Sequence, residues 1–438
     1  MRITIPTTGS RGDVQPYIAL GLGLQAAGHQ VRLATHTDFE PLVRSYGLDF
    51  YSLEADGRAL QASNAGDRML QAGRNPIVFL REFVRLREPL IRGLMANCYE
   101  ACRDADAVLM TTTSPLVGYS VAQKLGIPAY RTSLQPADLS RFHTSFLFPE
   151  PPEWLPLQGV YNVFSHLFVG LTLWQMWRKT LNEARRDVLG LPPLPLTGPG
   201  RDFMHTAIAL DGYSSLIVPR PRDWPDSHHL TGYWFLDAAP GWRPPVDLED
   251  FLASGPPPVY VGFGCNHNRD AADVTDLVVR ALKAAGVRGV LATGWGGLET
   301  VARSDQFYSL ESAPHAWLFP RMAAVAHHGG AGSTAAGLRA GAPSILIPFT
   351  SDQPFWGRRV RQLGLGPKPI PRKELTAERL ECAVRQAVTD TAIRRRSEEM
   401  GRMIRAEDGV GSAVSLFQRH VSASAGTPRR TSATAGAA

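Results

Sequence analysis

The stretch HHGGAGSTAAGLRAGAPSILIPFTSDQ, residues His327–Gln353, predicts a glycine-rich turn, a helix and a short buried strand in succession. Ser333 and Thr334 open the helix, and Asp352 and Gln353 follow the strand on the next loop. Glycine lets the backbone come close to an anion, and a helix N-terminus presents free N–H groups to a phosphate. A carboxylate and a carboxamide suit the hydroxyls of a sugar. The stretch therefore predicts a site for a sugar diphosphate.

The residues that form this turn are the candidate phosphate ligands. A histidine beside the turn adds a hydrogen bond or a charge, and the helix adds the positive end of its dipole. A glycine-rich turn can also serve packing alone, but the density of polar residues favours a ligand site. The candidates are His328, Gly330, Gly332, Ser333 and Thr334.

The composition is typical of a soluble enzyme with two domains. The chain has 438 residues, of which 44% are hydrophobic and 20% charged, and this length is more than one core usually serves. The net charge of +6 favours an anionic ligand or an anionic membrane surface. Because the arginines are dispersed, we expect no nucleic-acid partner. Four scattered cysteines make no disulfide framework, and residues 1–10 do not form a signal peptide, so we expect a cytoplasmic location.

The first half predicts a doubly wound parallel sheet. Arg2–Pro6, Val31–Thr35 and Asp49–Leu53 are expected to be strands, and a glycine-rich loop and a helix that begins at Pro16 separate the first two. Val259–Phe263 starts a second alternation of strands and helices after a stretch rich in proline and tryptophan. The predicted fold class is therefore α/β, with two Rossmann-like parallel-sheet domains facing a central cleft.

Changes in composition give the predicted domain boundaries. They are 1–218 for the N-terminal domain, 219–258 for the linker, 259–405 for the C-terminal domain, 406–421 for a C-terminal helix that returns to the N-terminal domain, and 422–438 for a disordered tail.

Residues 138–200 interrupt the alternation with many aromatic side chains. The run Leu155–Trp177 is long enough for a membrane span, but Gln158, Asn162 and His166 interrupt it, and we reject a span. The simplest interpretation is helices that pack over the first sheet. The alternatives are a wall for an apolar acceptor and a shallow surface that docks to a membrane. The candidate acceptor-binding residues are Phe142, Phe146, Phe148, Trp154 and Trp174.

The loops around Asp13 and His328 follow strands in different halves, so the fold brings them to one cleft. Such a pair suits an inverting displacement at an anomeric carbon, which needs a base for the acceptor hydroxyl and a positive group for the leaving diphosphate. Asp13 is the candidate base, with burial in the closed cleft raising its pKa, and helix capping before Pro16 is its alternative role. No metal is required. Asp104 and Asp106 spell a DxD pattern, but they precede a strand, where a structural role is the better interpretation.

Together these motifs resemble the inverting family-1 glycosyltransferases of the GT-B fold. Within that family the chain is most similar to the sterol 3-beta-glucosyltransferases and to the bacterial antibiotic glycosyltransferases of macrolides and glycopeptides. The resemblance covers both halves, from the first strand to about Val360. Its segments are GSRGDVQP at Gly9–Pro16, IVPRPRDWPDSHHLTGYWFL at Ile217–Leu236, VYVGFG at Val259–Gly264, PHAWLFP at Pro314–Pro320, HHGGAGST at His327–Thr334 and PFTSDQPFWGRRV at Pro348–Val360.

The resemblance implies a role for each matching residue. Asp13 is implied to be the general base, and His328 to contact the β-phosphate. Asp352 and Gln353 are implied to bind hydroxyls of the donor sugar, and His315 to contact the nucleoside. The other implied donor-binding residues are Ser10, Gly12, Gly264, Cys265, Trp295, Gly330, Gly332, Ser333 and Thr334, with Trp295 a looser candidate for the nucleoside pocket.

Two residues depart from the family pattern. Cys265 stands where many relatives have serine, which puts one phosphate hydrogen bond in doubt. Ala336 stands where plant members have a glutamate for the ribose, which leaves ribose recognition unassigned.

The predicted function is transfer of a hexose, with glucose as the first choice, from a UDP-sugar to a hydroxyl of an apolar acceptor such as a sterol, another terpenoid or a polyketide. The nucleotide sugar is a co-substrate, and no cofactor is expected. The alternatives are a transferase of a dTDP-deoxysugar onto a macrolide or other natural product, a sugar-nucleotide epimerase or phosphorylase, and a non-catalytic binding module. The aromatic segment and the positive charge also suggest reversible docking to anionic lipid.

Overall fold

The computed structural model describes residues 1–53, 76–152, 154–199, 203, 208–264 and 270–425. Within these residues the chain forms two parallel sheets, each surrounded by helices. The prediction of two doubly wound halves is therefore confirmed.

The first sheet has seven parallel strands in the described residues, in the order β3-β2-β1-β4-β5-β6-β7. Most of their residues are buried, as expected for a parallel sheet that helices cover on both faces. The strands are β1 (Arg2–Pro6), β2 (Gln30–Thr35), β3 (Asp49–Ser52), β4 (Ala107–Met110), β5 (Ala129–Ser133), β6 (Ala209–Asp211) and β7 (His228–Leu230).

The second sheet has five parallel strands in the described part of the chain, in the order β10-β9-β8-β11-β12. Its two central strands, β8 and β11, are fully buried. The strands are β8 (Val259–Gly262), β9 (Gly289–Ala292), β10 (Phe307–Leu310), β11 (Ala324–His327) and β12 (Ser344–Leu346).

The helices of the N-terminal half are α1 (Arg11–Ala26), α2 (Glu40–Ser45), α3 (Pro76–Arg87), α4 (Ile91–Cys102), α5 (Pro115–Leu125) and α6 (Gln158–Leu189). Those of the C-terminal half are α7 (Val246–Ala253), α8 (Ala271–Ala285), α9 (His315–Leu318), α10 (Ala331–Ala340), α11 (Gln353–Gln362), α12 (Ala377–Thr389), α13 (Thr391–Arg405) and α14 (Gly409–Ala425).

Helix α1 begins five residues before the predicted start at Pro16. Ser10 is extended (φ −91°, ψ 178°) and caps the helix, so that Arg11 is its first residue. Pro16 lies in the second turn, where its missing N–H removes one hydrogen bond to the carbonyl of Gly12. The cap at Ser10 therefore outweighs the proline as a start signal.

The aromatic segment contains a single 32-residue helix, α6, which ends at Gly190 in the left-handed conformation. It packs against α3, α4 and α5 on one side of the first sheet. No helix in the described ranges is long and apolar enough to cross a membrane.

The chain crosses between the halves twice. The stretch predicted as a linker contains β7, which belongs to the first sheet, and α7, which packs on the second. At the other end, α14 returns to the first domain and packs along α1, where a side chain at Gly23 would overlap Val410. Phe417 of α14 lies in the core of the N-terminal domain, with its ring 5.0 Å from that of Tyr130.

Candidate functional site

The candidate site lies where the strand order of each sheet reverses. In the first sheet β1 and β4 are neighbours from which the connections lead in opposite directions, and in the second sheet β8 and β11 are such neighbours. Doubly wound sheets bind ligands outside the carboxyl ends of these strand pairs. The loop after β1 leads into α1 and the loop after β11 into α10, and the two helix N-termini meet. A Cβ on Gly332 would lie 3.8 Å from the Cα of Gly12.

Asp13 is half-buried in the first turn of α1. Its Oδ2 accepts hydrogen bonds from the N–H of Ser10 (2.8 Å) and from the hydroxyl of Ser10 (3.0 Å). Gly9 has φ +124°, and a Cβ there would lie 2.5 Å from Asp13 Oδ2, so only glycine fits. The N–H of Gly9 donates to His36 Nε2 (2.9 Å). The loop after β1 thus fixes the orientation of the Asp13 carboxylate.

The ring of His328 packs between two glycines from different loops. A Cβ on Gly330 would lie 2.5 Å from His328 Nε2, and one on Gly264 would lie 2.8 Å from Cε1. Burial lowers the pKa of His328 to about 4, so the ring is neutral at pH 7. Its Nδ1 is buried without a hydrogen-bond partner in the described residues. At neutral pH the ring therefore offers a hydrogen bond and no charge.

Helix α10 presents its first turn to the cleft. Gly330 is its N-cap, Gly332 is exposed and Ser333 is half-buried. The first N–H groups of a helix have no partner inside the helix. The hydroxyl of Thr334 is buried and has no partner among the described residues. Unpaired donors at a helix N-terminus favour an anion.

Asp352 is a buried carboxylate at the start of α11. Its Oδ2 accepts a hydrogen bond from Trp356 Nε1 (2.8 Å). Burial raises the pKa of Asp352 to about 6, and the charge of Asp13 acts in the same direction. Trp356 and Gln135 donate hydrogen bonds that act against this rise. Since Asp13 and Gln135 belong to the N-terminal domain, Asp352 faces the other domain across the cleft.

Gln353 shapes the loop that carries Asp352. Its Oε1 accepts from the N–H of Phe349 (2.8 Å) and of Thr350 (3.3 Å). Ser351 has φ +62°, a strained value for a residue other than glycine. The loop is therefore held in one conformation by the carboxamide oxygen of Gln353, and strain is stored beside Asp352.

His315 is the first residue of α9, and Trp295 lies on the loop after β9 in the same domain. His315 stacks on Phe319 at 4.1 Å and 16° between ring planes, and burial lowers its pKa to about 3. The ring of Trp295 stacks on Phe39 of the N-terminal domain (6.3 Å, 29°). The backbone N–H of Trp295 donates to the carbonyl of Gly264 (3.2 Å). Trp295 thus joins the two domains at the edge of the cleft.

The sequence motifs did not single out Arg11 or Gln135. Arg11 is the first residue of α1 and exposed, and its positive charge contributes to the lowered pKa of His315 in the opposite domain. Gln135 follows β5 and reaches Asp352. The signal for Arg11 was its place in GSRGD, next to Asp13, whereas Gln135 carries no local signal.

The five candidate acceptor residues occupy different environments. Phe146 packs against a cluster shared by both domains, and Phe148 lies 6.2 Å from Phe164. Phe142 and Trp154 are 61% and 79% exposed. Trp174 is a core residue of the N-terminal domain, 5% exposed, whose Nε1 donates to the carbonyl of Leu196 (2.9 Å).

Three other residues from the sequence analysis either lie away from the cleft or are not among the described residues. Cys265 is not among the described residues. Asp104 pairs with Arg32 at 2.7 Å, and Asp106 accepts from the N–H of Arg2 (2.7 Å). The DxD pattern therefore has a structural role at the amino end of β4.

Two stretches of the chain match known protein families. Residues 3–143 match the glycosyltransferase family 28 N-terminal domain. Residues 304–408 match the C-terminal domain of proteins like erythromycin biosynthesis protein CIII.

Relatives with a known activity match nearly the whole chain. Two sterol 3-beta-glucosyltransferases of Arabidopsis thaliana are 35% and 34% identical to it, over 96% of this chain and 66% and 68% of their own lengths. A sterol 3-beta-glucosyltransferase of Aspergillus fumigatus is 35% identical over 96% of this chain and 30% of its own length. The chain therefore spans about two thirds of these plant relatives and less than a third of the fungal one.

Solved structures share the fold at low identity. The glycosyltransferase of kitacinnamycin matches with a TM-score of 0.67 and 19% identity, over 96% of this chain and 98% of its own. The glycosyltransferase VinC, solved in complex with dTDP, matches with a TM-score of 0.63 and 17% identity, over 96% of this chain and 100% of its own. The predicted GT-B fold is thereby confirmed.

Proposed function

Because this chain belongs to the family of the sterol 3-beta-glucosyltransferases, we propose that it transfers a hexose, with glucose as the first choice, from a UDP-sugar to a hydroxyl of an apolar acceptor. A sterol, another terpenoid or a polyketide is the acceptor class that the relatives and the aromatic segment favour. One observation supports the proposal most. A carboxylate of one domain, Asp13, faces an anion-binding helix end and a buried carboxylate, Asp352, of the other.

The donor lies on the C-terminal side of the cleft in this proposal. The diphosphate binds the first turn of α10 and accepts a hydrogen bond from His328. Asp352, ionised near neutral pH, accepts hydrogen bonds from hydroxyls of the sugar. The nucleoside lies near His315. Because His328 is neutral, Arg11 supplies the full positive charge that opposes the charge of the diphosphate.

Transfer then proceeds by one in-line displacement. The acceptor hydroxyl gives its proton to Asp13 as its oxygen forms a bond to the anomeric carbon. The bond from that carbon to the diphosphate oxygen breaks, and the electron pair leaves with UDP. The configuration at the anomeric carbon inverts. Arg11 and the N-terminus of α10 stabilise the charge that develops on the leaving group.

The acceptor enters from the N-terminal side. Phe146 and Phe148 line the approach from the aromatic segment, and Phe142 and Trp154 extend it to the surface. Trp174 takes no part, because its ring is buried in the core.

A dTDP-sugar is the second candidate donor. The dTDP complex of VinC, a structural neighbour over the whole chain, supports it. The two donors differ in a methyl group on the base and in the 2′-hydroxyl of the ribose, which dTDP lacks. A methyl group alone is worth about 1–3 kcal/mol in a fitted pocket.

Release of UDP that depends on an acceptor tests the proposal. Purified protein is incubated with UDP-glucose or dTDP-glucose and with sterols, triterpenoids and macrolides in turn. We expect release with UDP-glucose and a sterol or terpenoid, and a product of inverted configuration. Release or rearrangement of the sugar without an acceptor would indicate an epimerase, and donor binding without turnover on any acceptor would indicate a binding module.

A further inference from the structure

Four large apolar side chains of α6 are exposed on one side of the helix. Val160, Phe164, Leu167 and Leu171 are 63%, 52%, 57% and 54% exposed. Their spacing of four, three and four residues places them on one face, and the face extends for about 16 Å at 1.5 Å per residue. We call these four residues the α6 face.

Further apolar side chains extend this surface at both ends. Leu157 (65%) and Trp154 (79%) precede the α6 face along the chain and are also exposed. At the far end, Gln175 Nε2 donates to the carbonyl of Leu196 (2.7 Å), and the Leu196 side chain is 63% exposed. Contiguous apolar surfaces of this kind mark sites of interaction with a partner or a membrane.

We propose that the α6 face docks onto an anionic lipid bilayer. From Trp154 to Asn182 the sequence has no acidic residue, whereas Arg178 and Lys179 follow the face on the same helix. An apolar face bordered by cations is the composition of a helix that lies in the interface of a charged membrane.

The same charges disfavour a parallel pair of α6 faces as the occupant. In a two-fold symmetric dimer each surface meets its own copy. A parallel pair would bring Arg178 and Lys179 of one chain towards the same cations of the other.

The loop before α6 links the α6 face to the interdomain cluster through two aromatic residues, Phe148 and Phe146. The ring of Phe148 lies 6.2 Å from Phe164 of the face, and Phe146 packs in the interdomain cluster that contains Trp356. Trp356 in turn donates to Asp352. This step rests on the proposed function, since an apolar acceptor taken from the bilayer would reach the cleft along these rings.

Co-sedimentation of the full chain with vesicles tests the proposal without any turnover. The probes are vesicles of phosphatidylcholine alone and of phosphatidylcholine with phosphatidylserine. We expect binding that is stronger to the second and weaker at high salt. Leu167→Gln together with Leu171→Gln should reduce binding to both by roughly tenfold or more, and Lys179→Glu should reduce only the preference for phosphatidylserine.

Val246→Gln is the matched control, because Val246 is 73% exposed on the C-terminal domain, and it should bind like the wild type. Wild-type protein that binds neither vesicle, or a double variant that binds as well as wild type, overturns the proposal. A solution dimer that the double variant dissociates, without vesicle binding, would assign the face to a second copy.

All variants should keep their activity on an acceptor solubilised with cyclodextrin. Vesicle binding without any transfer would leave the docking surface intact and refute the proposed function.

Discussion

Asp13 combines two roles that different substitutions separate. Asn at this position keeps an oxygen that can accept from Ser10, and therefore keeps the cap, but it cannot take a proton from the acceptor. We expect Asp13→Asn to lower kcat by about a hundredfold to ten-thousandfold and to leave the affinity for UDP unchanged in calorimetry. Asp13→Ala should lower kcat at least as much and also cost about 1 kcal/mol of stability. An equal loss of UDP binding in Asp13→Asn would make Asp13 a structural residue.

Arg11 is proposed to carry the positive charge that His328 lacks at neutral pH. Replacing it by Gln keeps a polar side chain and removes the charge. We expect Arg11→Gln to lower kcat by about tenfold to a hundredfold, with partial recovery in Arg11→Lys, when initial rates are measured with saturating donor. Arg321→Gln is the control, since Arg321 is an exposed arginine whose guanidinium stacks on Trp317 (4.3 Å). Unchanged kcat in Arg11→Gln would place the stabilising charge elsewhere.

The raised pKa of Asp352 predicts a pH dependence of donor binding. The protonated carboxyl predominates below a pKa of about 6 and accepts hydrogen bonds poorly, whereas the ionised form predominates above it. The affinity for the sugar nucleotide should therefore rise as the pH increases through about 6. Neither phosphate of UDP-glucose titrates near pH 6, so its affinity for Asp352→Asn should stay flat over the same range. A parallel rise in Asp352→Asn would assign the titration to another group.

The residues of the site differ in how visible they are in the sequence. Asp13, His328 and Asp352 lie in short motifs, because each needs glycine or a helix start beside it. Gln135 could not be found in this way, since its contact with Asp352 depends on how the two domains meet. The buried position of Trp174 could not be predicted either. An aromatic residue in an amphipathic segment gives the same sequence pattern whether it faces a ligand or the core.

At the scale of elements, the turn before α10 depends on glycines that make room for the ring of His328. A Cβ on Gly330 would lie 2.5 Å from His328 Nε2, so Gly330→Ala must displace the ring or the turn. We expect this change to weaken UDP binding by about tenfold or more, the loss of one charge-assisted hydrogen bond. Gly93→Ala in α4 is the control. No heavy atom lies within 4 Å of a Cβ there, and this change should leave UDP binding intact. Unaltered binding in Gly330→Ala would remove His328 from the phosphate site.

The boundaries of elements were predictable where the end signals are local. Helix α8, Ala271–Ala285, ends at Gly286 in the left-handed conformation, a common helix stop. Helix α12, Ala377–Thr389, begins after Thr376, whose hydroxyl accepts a hydrogen bond from the N–H of Arg379. Strands β6 and β7 were missed because three residues are too few to show a period.

At the scale of the molecule, the sequence predicted two sheets and a cleft, because strand and helix patterns recur in both halves. It did not show which residues make the contacts between the two halves. Arg359 of α11 donates to the carbonyl of Ile217 from Nε (3.0 Å) and Nη2 (2.6 Å), a contact between distant parts of the chain. Such contacts have no signature in the sequence, since each partner is polar or apolar in an ordinary way for its own element.

The return of α14 predicts that the C-terminal end of the chain stabilises the N-terminal domain. Phe417 is 1% exposed, and its ring contacts Tyr130 and His29 (5.0 and 5.6 Å). We expect Phe417→Ala to lower the free energy of unfolding by about 3–5 kcal/mol, measured by urea denaturation. Hydrogen exchange should become faster in β1 and α1 and remain unchanged in β8 and β11. Met403→Ala, at a side chain 43% exposed on α13, should cost less than about 0.5 kcal/mol. Faster exchange confined to the second sheet would mean that α14 stabilises the C-terminal domain instead.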